Sequence, residues 1–250
     1  MKQKAFCLVF GLILVSMAAF GQTPEELIQE ADALYADMQD METAEKALSL
    51  YRDALIAAEN KYEAYWKIAR MLYYIGEHKE NKKERQNTFA QGVYHAEKAM
   101  ALEAEKPDGY YWRGVNNGKY GETRGVLKSL SLVKPIKSDM NKVIELNRSY
   151  EDGGPDRVMG RVFLKLPGIA GGSKDKSLEH LLKSKEYGPE DALTRAYLGD
   201  TLLAMKEVEK ARAELEYVIN LPDDPLWVSS RQQSKELARE ILEDKKFRKK

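Results

Sequence analysis

The groups able to do chemistry in this 250-residue chain are few and scattered. Its three histidines, His78, His95 and His180, share no His-Glu-x-x-His or comparable metal-ligand spacing. Glu179 and His180 are adjacent, but neighbours on a helix point about 100° apart and would not face one substrate. The one cysteine, Cys7, lies in an apolar leader, and no Gly-x-Ser-x-Gly elbow occurs. The expectation is a protein that is not an enzyme, with no metal site and no cofactor.

Two other constellations suit binding. The run Leu166-Pro167-Gly168-Ile169-Ala170-Gly171-Gly172-Ser173-Lys174 combines glycines that permit positive φ with a serine placed to cap a helix starting near Asp175. Gly168, Gly171, Gly172, Ser173 and Lys174 could hold an anion on backbone N–H groups at that helix start. The order is wrong for a nucleotide P-loop, and a plain elbow between helices is the commoner fate of such runs. The second constellation pairs rings with cations: Trp66, Arg70, Tyr73, Tyr74, Tyr111, Lys119, Arg157 and Arg161, with Asp200 further on. On one face of successive helices they would suit a carboxylate-bearing ligand or a partner's peptide. Rings at helical spacing are, however, more often core.

Forty basic against forty acidic residues remove the electrostatic argument for nucleic-acid binding. Charge is uneven along the chain: Gln22 to Glu45 holds eight acids and no Lys or Arg, and Lys245 to Lys250 holds five bases. Such ends could promote self-association as an envelope scaffold, although acids early in a helix and bases late simply complement its dipole.

The elements that must position these residues are helices. Apolar residues recur at three- and four-residue spacing, and nothing after the leader alternates as a strand does. A second-helix pattern, Ala47, Tyr51 and Ala54, is followed by a first-helix pattern, Tyr65, Ile68, Ala69, Tyr73 and Gly76. It recurs as Gly92, Ala96, Ala99 and Leu102 before Tyr110, Gly114 and Gly121, then as Leu198-Gly199 before Ala211, Leu215, Val218 and Leu221-Pro222. Self-similarity of this kind marks tetratricopeptide repeats, in which small residues let paired helices approach and neighbouring pairs complete the core. The fold class expected is all-α: a tetratricopeptide-like helical-repeat solenoid of four to five pairs with an irregular central insertion. Three irregularities stand out. Asn81 to Gln91 lengthens the second unit, and a further helical stretch spans Glu122 to Ile136, with Pro135 breaking the chain. The third is the segment dense in Gly and Pro from Asp152 to Ser173.

Residues 1–21 precede this domain of 22–250. Lys2 and Lys4, the apolar run Ala5 to Val15, and small Ala19 and Gly21 form a signal-peptide pattern cleaved between Gly21 and Gln22. Ala5 to Gly21 is only at the lower edge of bilayer-spanning length, so no stable membrane span is expected after cleavage and the mature chain would be periplasmic or secreted.

Asp152-Gly153-Gly154-Pro155, Met159-Gly160, Leu166-Pro167-Gly168 and Gly171-Gly172-Ser173, together with Tyr110-Tyr111-Trp112-Arg113-Gly114, resemble the T-component family of tripartite ATP-independent periplasmic transporters over roughly residues 60–222. A weaker likeness, through the Leu-Pro to Gly-Gly stretch, is to the eukaryotic regulators of microtubule dynamics. The first resemblance implies a groove-bearing accessory protein that meets a periplasmic substrate-binding protein during uptake of small ligands. This chain lacks the lipidation cysteine of the founding members. The function expected is therefore partner-protein binding through a concave groove. The alternative is a carrier of a small hydrophobic or carboxylate ligand.

Overall fold

The computed structural model describes residues 22–38, 40–223, 228–244 and 247. The leader with its cleavage point, and the basic run 245–250 apart from Phe247, lie outside the described residues. Among the described residues regular structure is helical throughout: α1 (Pro24–Ala36), α2 (Met41–Ala57), α3 (Tyr62–His78), α4 (Lys82–Leu102), α5 (Pro107–Arg124), α6 (Leu130–Asn147), α7 (Tyr150–Lys165), α8 (Lys174–Tyr187), α9 (Ala192–Ala204), α10 (Val208–Asn220) and α11 (Val228–Leu242). Short 3-10 turns occupy Val126–Ser129 and Gly168–Ala170.

Side-chain capping explains five of the helix starts. Thr23 and Glu26 form a capping box around Pro24, Asp40 accepts from the Thr43 N–H at 2.8 Å, and Asn81, Ser173 and Asp191 cap α4, α8 and α9 in the same way. The helices fall into five pairs, α1/α2 to α9/α10, and α11 packs on both members of the last. In four pairs a first-helix glycine faces a large side chain of the second helix: Gly76 and Phe89, Gly114 and Met140, Gly160 and Leu181, Gly199 and Leu215. A methyl group at any of these glycines would lie 2.4–2.6 Å from its neighbour. The small residue thus sets the interhelical distance.

Successive first helices from α3 to α9 pack on one another, whereas neighbouring second helices make far less contact. The stack therefore curves with the first helices on its inside. Asn116, fully buried, ties that layer together. Its amide donates to Ala69 O at 3.1 Å on α3 and Trp112 O at 2.8 Å, and the side chain lies directly over Gly92 of α4.

Two sequence expectations need correction. Pro135 does not break the chain: it lies inside α6, which runs on past Met140. The ring removes one N–H, and the Ser131 carbonyl left without it belongs to an exposed turn where water can serve. The extra helical stretch expected over Glu122 to Ile136 is accordingly the end of α5, a 3-10 turn and the start of α6. The stretch from Asp152 to Ser173 is mostly helix, and its irregularity is confined to two places. One is Glu151, Asp152 and Gly153, three consecutive left-handed residues with φ of 50°, 55° and 76°. The other is the elbow from Leu166 to Ser173. The expected lengthening of the second unit is real and belongs to α4, which has 21 residues.

Candidate functional site

The ring and cation residues lie along the inner, first-helix layer, but the cations already have partners. Arg70 of α3 lies 3.6 Å from the Tyr35 ring centroid of α1 and 5.0 Å from that of Trp66. It donates to Asp32 at 3.2 Å and to the Tyr51 hydroxyl at 3.0 Å. Tyr51 donates to the same carboxylate at 2.6 Å, and Lys67 pairs with both Asp32 and Glu63. Burial alone would raise the Asp32 pKa, but the bonds from Lys67 and Tyr51 outweigh it and lower it.

The same arrangement repeats along the layer. Lys119 of α5 pairs with Glu77 of α3 and with Glu122 at 3.5 Å. Arg157 of α7, buried, donates to Asp191 at 3.1 Å, the Tyr111 hydroxyl at 3.1 Å and the Glu151 carbonyl at 3.2 Å. Arg161 donates to Asp200 at 2.7 Å and lies 4.4 Å from the Tyr197 ring centroid. Each predicted cation therefore neutralises a carboxylate of a neighbouring unit or of its own helix face. A basic groove awaiting a carboxylate ligand is not what these side chains build.

The rings divide into two groups. Tyr74 packs into the core of the first two pairs, and Tyr111 is buried, its pKa pushed up to about 12 by burial against the opposing pull of Arg157. Trp66 and Tyr73 stay half-exposed at the edge of the central core, with the Tyr73 and Trp112 ring centroids 5.8 Å apart.

Sequence reasoning missed the charge this face does offer. Glu151 is solvent-exposed yet set low among Tyr35, Tyr111, Arg70 and Arg157, and burial raises its carboxyl against the pull of the two arginines. The only signal in the sequence is its place next to Asp152-Gly153-Gly154-Pro155. Nothing in that run foretells a non-glycine residue at φ 50°. Arg157 holds the Glu151 carbonyl, Tyr150 donates to Asp108 at 2.9 Å, and Gly153 fits against Ser184, so packing on three sides imposes the turn.

The glycine-rich loop is an elbow. Its N–H groups bond internally: Ala170 and Gly172 to Pro167 O, Gly171 to Gly168 O, and Ser173 to Phe163 O. The Lys174 ammonium donates to Ala204 O at 2.6 Å. Gly168 and Ile169 stand outward in solvent, and no cluster of N–H groups converges on an anion.

The histidines are equally dispersed. His78 meets Gln233 of α11 at 2.7 Å, His95 lies between Tyr65 and Tyr94, and His180 bonds Asp156 at 2.7 Å. Among the described residues no group of His, Cys, Asp or Glu could hold a metal, and no helix is long and apolar enough to cross a membrane.

Over residues 27–152 the chain matches the family model for regulator of microtubule dynamics protein 1-3. The likeness ranked second from the sequence is thus the one a family model supports. The matched residues also end before the Leu-Pro to Gly-Gly stretch that suggested it. No curated protein matches in sequence. Among solved structures, a thermophilic tetratricopeptide-repeat protein of Thermus thermophilus superposes with a TM-score of 0.64 at 16% identity, over 86% of this chain and 98% of that one. YrrB, a tetratricopeptide-repeat protein with an unusual peptide-binding site, reaches 0.41 at 20% identity, over 86% of this chain and 89% of that one. The first shares the fold; the second is too distant to support more.

Proposed function

Since this chain belongs to the regulator of microtubule dynamics protein 1-3 family, we infer that its inner face receives a segment of another protein. The observation that carries this reading is the continuous first-helix layer. Its ion pairs are closed internally, while Trp66 and Tyr73 keep a partly exposed face and Glu151 is exposed. Half-exposed rings supply rigid contact area, and Glu151, which lies among tyrosines but also beside Arg70 and Arg157, adds an exposed carboxylate that a lysine or arginine of the incoming segment can meet. The affinity is for a cation, the reverse of the carboxylate expected from the sequence. A carrier of carboxylate ligands draws less support, because the arginines already hold carboxylates of the protein itself.

The finer form of the reading is an exported accessory subunit that meets a periplasmic substrate-binding protein. It draws its support from the leader pattern in residues 1–21 and the Gly-Gly-Pro to Gly-Gly order over 153–172. A photoreactive amino acid at Trp66 or Tyr73 tests both levels. Crosslinks to one partner from these positions, and none from Ile56 on the outer helix α2 (80% exposed), are expected. Identification of a substrate-binding protein in that product would favour the finer form. Absence of crosslinks at Trp66 and Tyr73 would remove the inner face as a docking site. A small molecule retained in native mass spectra would favour the carrier instead.

A further inference from the structure

On the outer side of the stack, the 3-10 turn at Val126–Ser129, the first half of α6 and the elbow at Gly168–Ala170 enclose an open hollow of about 740 Å³. Its walls are Leu127, Leu130, Val133 and Ile169 with Lys134 and Lys137. The lips are the most exposed part. Ile169 is 101% and Leu127 78% exposed, one on each of the two 3-10 turns that line the hollow. Three- and four-residue spacing from Leu130 through Val133 and Lys137 places these side chains on one face of α6, and no other helix covers it.

The surroundings are cationic. Lys128 and Lys134 are exposed and have no ion-pair partner among the described residues. Lys137 and Lys176 lie 3.9 and 5.6 Å from the Phe163 ring centroid. Burial, then the neighbouring Lys176 ammonium, hold the Lys137 pKa below its ordinary value. Among the described residues, Asp175 at the start of α8 forms no ion pair with them. The uncompensated charge calls for an anionic partner.

We propose that this face docks shallowly on an anionic bilayer surface, with Ile169 and Leu127 entering the headgroup boundary and the lysines lying among the phosphates. Two observations favour a bilayer over an acidic helix laid in the hollow. The apolar lips point outward past the groove, toward a broad surface, whereas a peptide would be gripped by residues pointing into it. The elbow also bonds its own N–H groups from Ala170 to Ser173, so fewer of its donors must be stripped of water than in an open loop.

The test uses the full chain carrying Cys7→Ser, with Ile169→Cys labelled by an environment-sensitive fluorophore and Glu42→Cys, exposed on α2, as the control position. Vesicles of phosphatidylcholine alone are compared with vesicles containing about 30% phosphatidylglycerol. The label at 169 should shift to the blue and be quenched by brominated lipid only with the anionic vesicles, and the control should not respond. Adding Lys134→Glu and Lys137→Glu, with circular dichroism unchanged, should raise the lipid needed for half the shift roughly tenfold. No shift at 169, or equal shifts at 169 and 42, would overturn the proposal. So would a shift produced by an acidic helical peptide but not by vesicles, which would make the partner a protein.

Discussion

His95 lies between the Tyr65 and Tyr94 rings with its Nδ1 buried and unpartnered. Burial, reinforced by Arg52, lowers its pKa from 6.5 to about 4. The unfolded chain therefore takes up the proton first. The contribution of neutral His95 is complete above about pH 6.5 and is lost as the pH falls toward 4. His95→Phe keeps a ring and removes the titration. Relative to wild type it should recover about 1–2 kcal/mol at pH 4.5 but not at pH 7, read from urea midpoints. Parallel pH slopes for the two proteins would show that folding leaves the His95 pKa where it is in the unfolded chain. Glu151 raises a different question, because a left-handed non-glycine residue stores about 1–2 kcal/mol. Glu151→Gly should raise the melting temperature while reducing crosslinking at Trp66. A variant that is more stable and equally active would detach the carboxylate from partner binding.

At the scale of the element, helix pairing depends on where a side chain is missing. Gly199 and Gly118 are both inside helices, but only Gly199 stands in the repeat pattern of the sequence. A methyl at Gly199 would lie 2.6 Å from Leu215 Cγ, whereas at Gly118 it would meet nothing within 4 Å. Gly199→Ala should therefore cost about 1–3 kcal/mol by overpacking a fully buried leucine. Gly118→Ala should stabilise by about 0.5–1 kcal/mol, because only the backbone entropy term changes. Thermal melts of the two variants should move in opposite directions. The elbow follows the same logic: a methyl at Gly172 would lie 1.9 Å from the Leu166 carbonyl oxygen, so that position admits glycine alone. The repeat pattern and the Ser173 cap of α8 could be read from the chain because small-residue spacing and capping act locally. The path of the chain at Pro135 and Glu151 could not, because solvent exposure and packing decide it.

For the molecule as a whole, the stack curls far enough that Gln233 of α11 reaches His78 at the end of α3, 155 residues earlier. Tyr197 of α9 lies close enough to Tyr73 and Lys119 to perturb both. The inner face is consequently narrow, and its entrance is bounded by the last pair. Ala238 of α11 is buried, and Leu237 and Ile241 cover Leu215 and Val218. In a stack held by nearest-neighbour contacts, removing α11 should weaken the adjoining pair most. A chain ending at Asp223 should lose amide-exchange protection first in α9 and α10, while α1 and α2 keep theirs. Uniform loss across all pairs would mean that the repeats unfold as one unit.

Sequence alone determined the all-helical class and the first-helix and second-helix roles of the recognisable units. These follow from periodicity and from side-chain size at the crossing points, which are properties of neighbouring residues. Only the tertiary structure decided which of those residues are available to a partner. Arg70, Lys119, Arg157 and Arg161 looked open because their carboxylates, Asp32, Glu77, Asp191 and Asp200, come from other helices, more than thirty residues away in each case. Glu151 went unnoticed because its exposure depends on a strained turn that packing imposes. Ion pairing and burial are set by how one unit stacks on the next, and no local pattern encodes that distance.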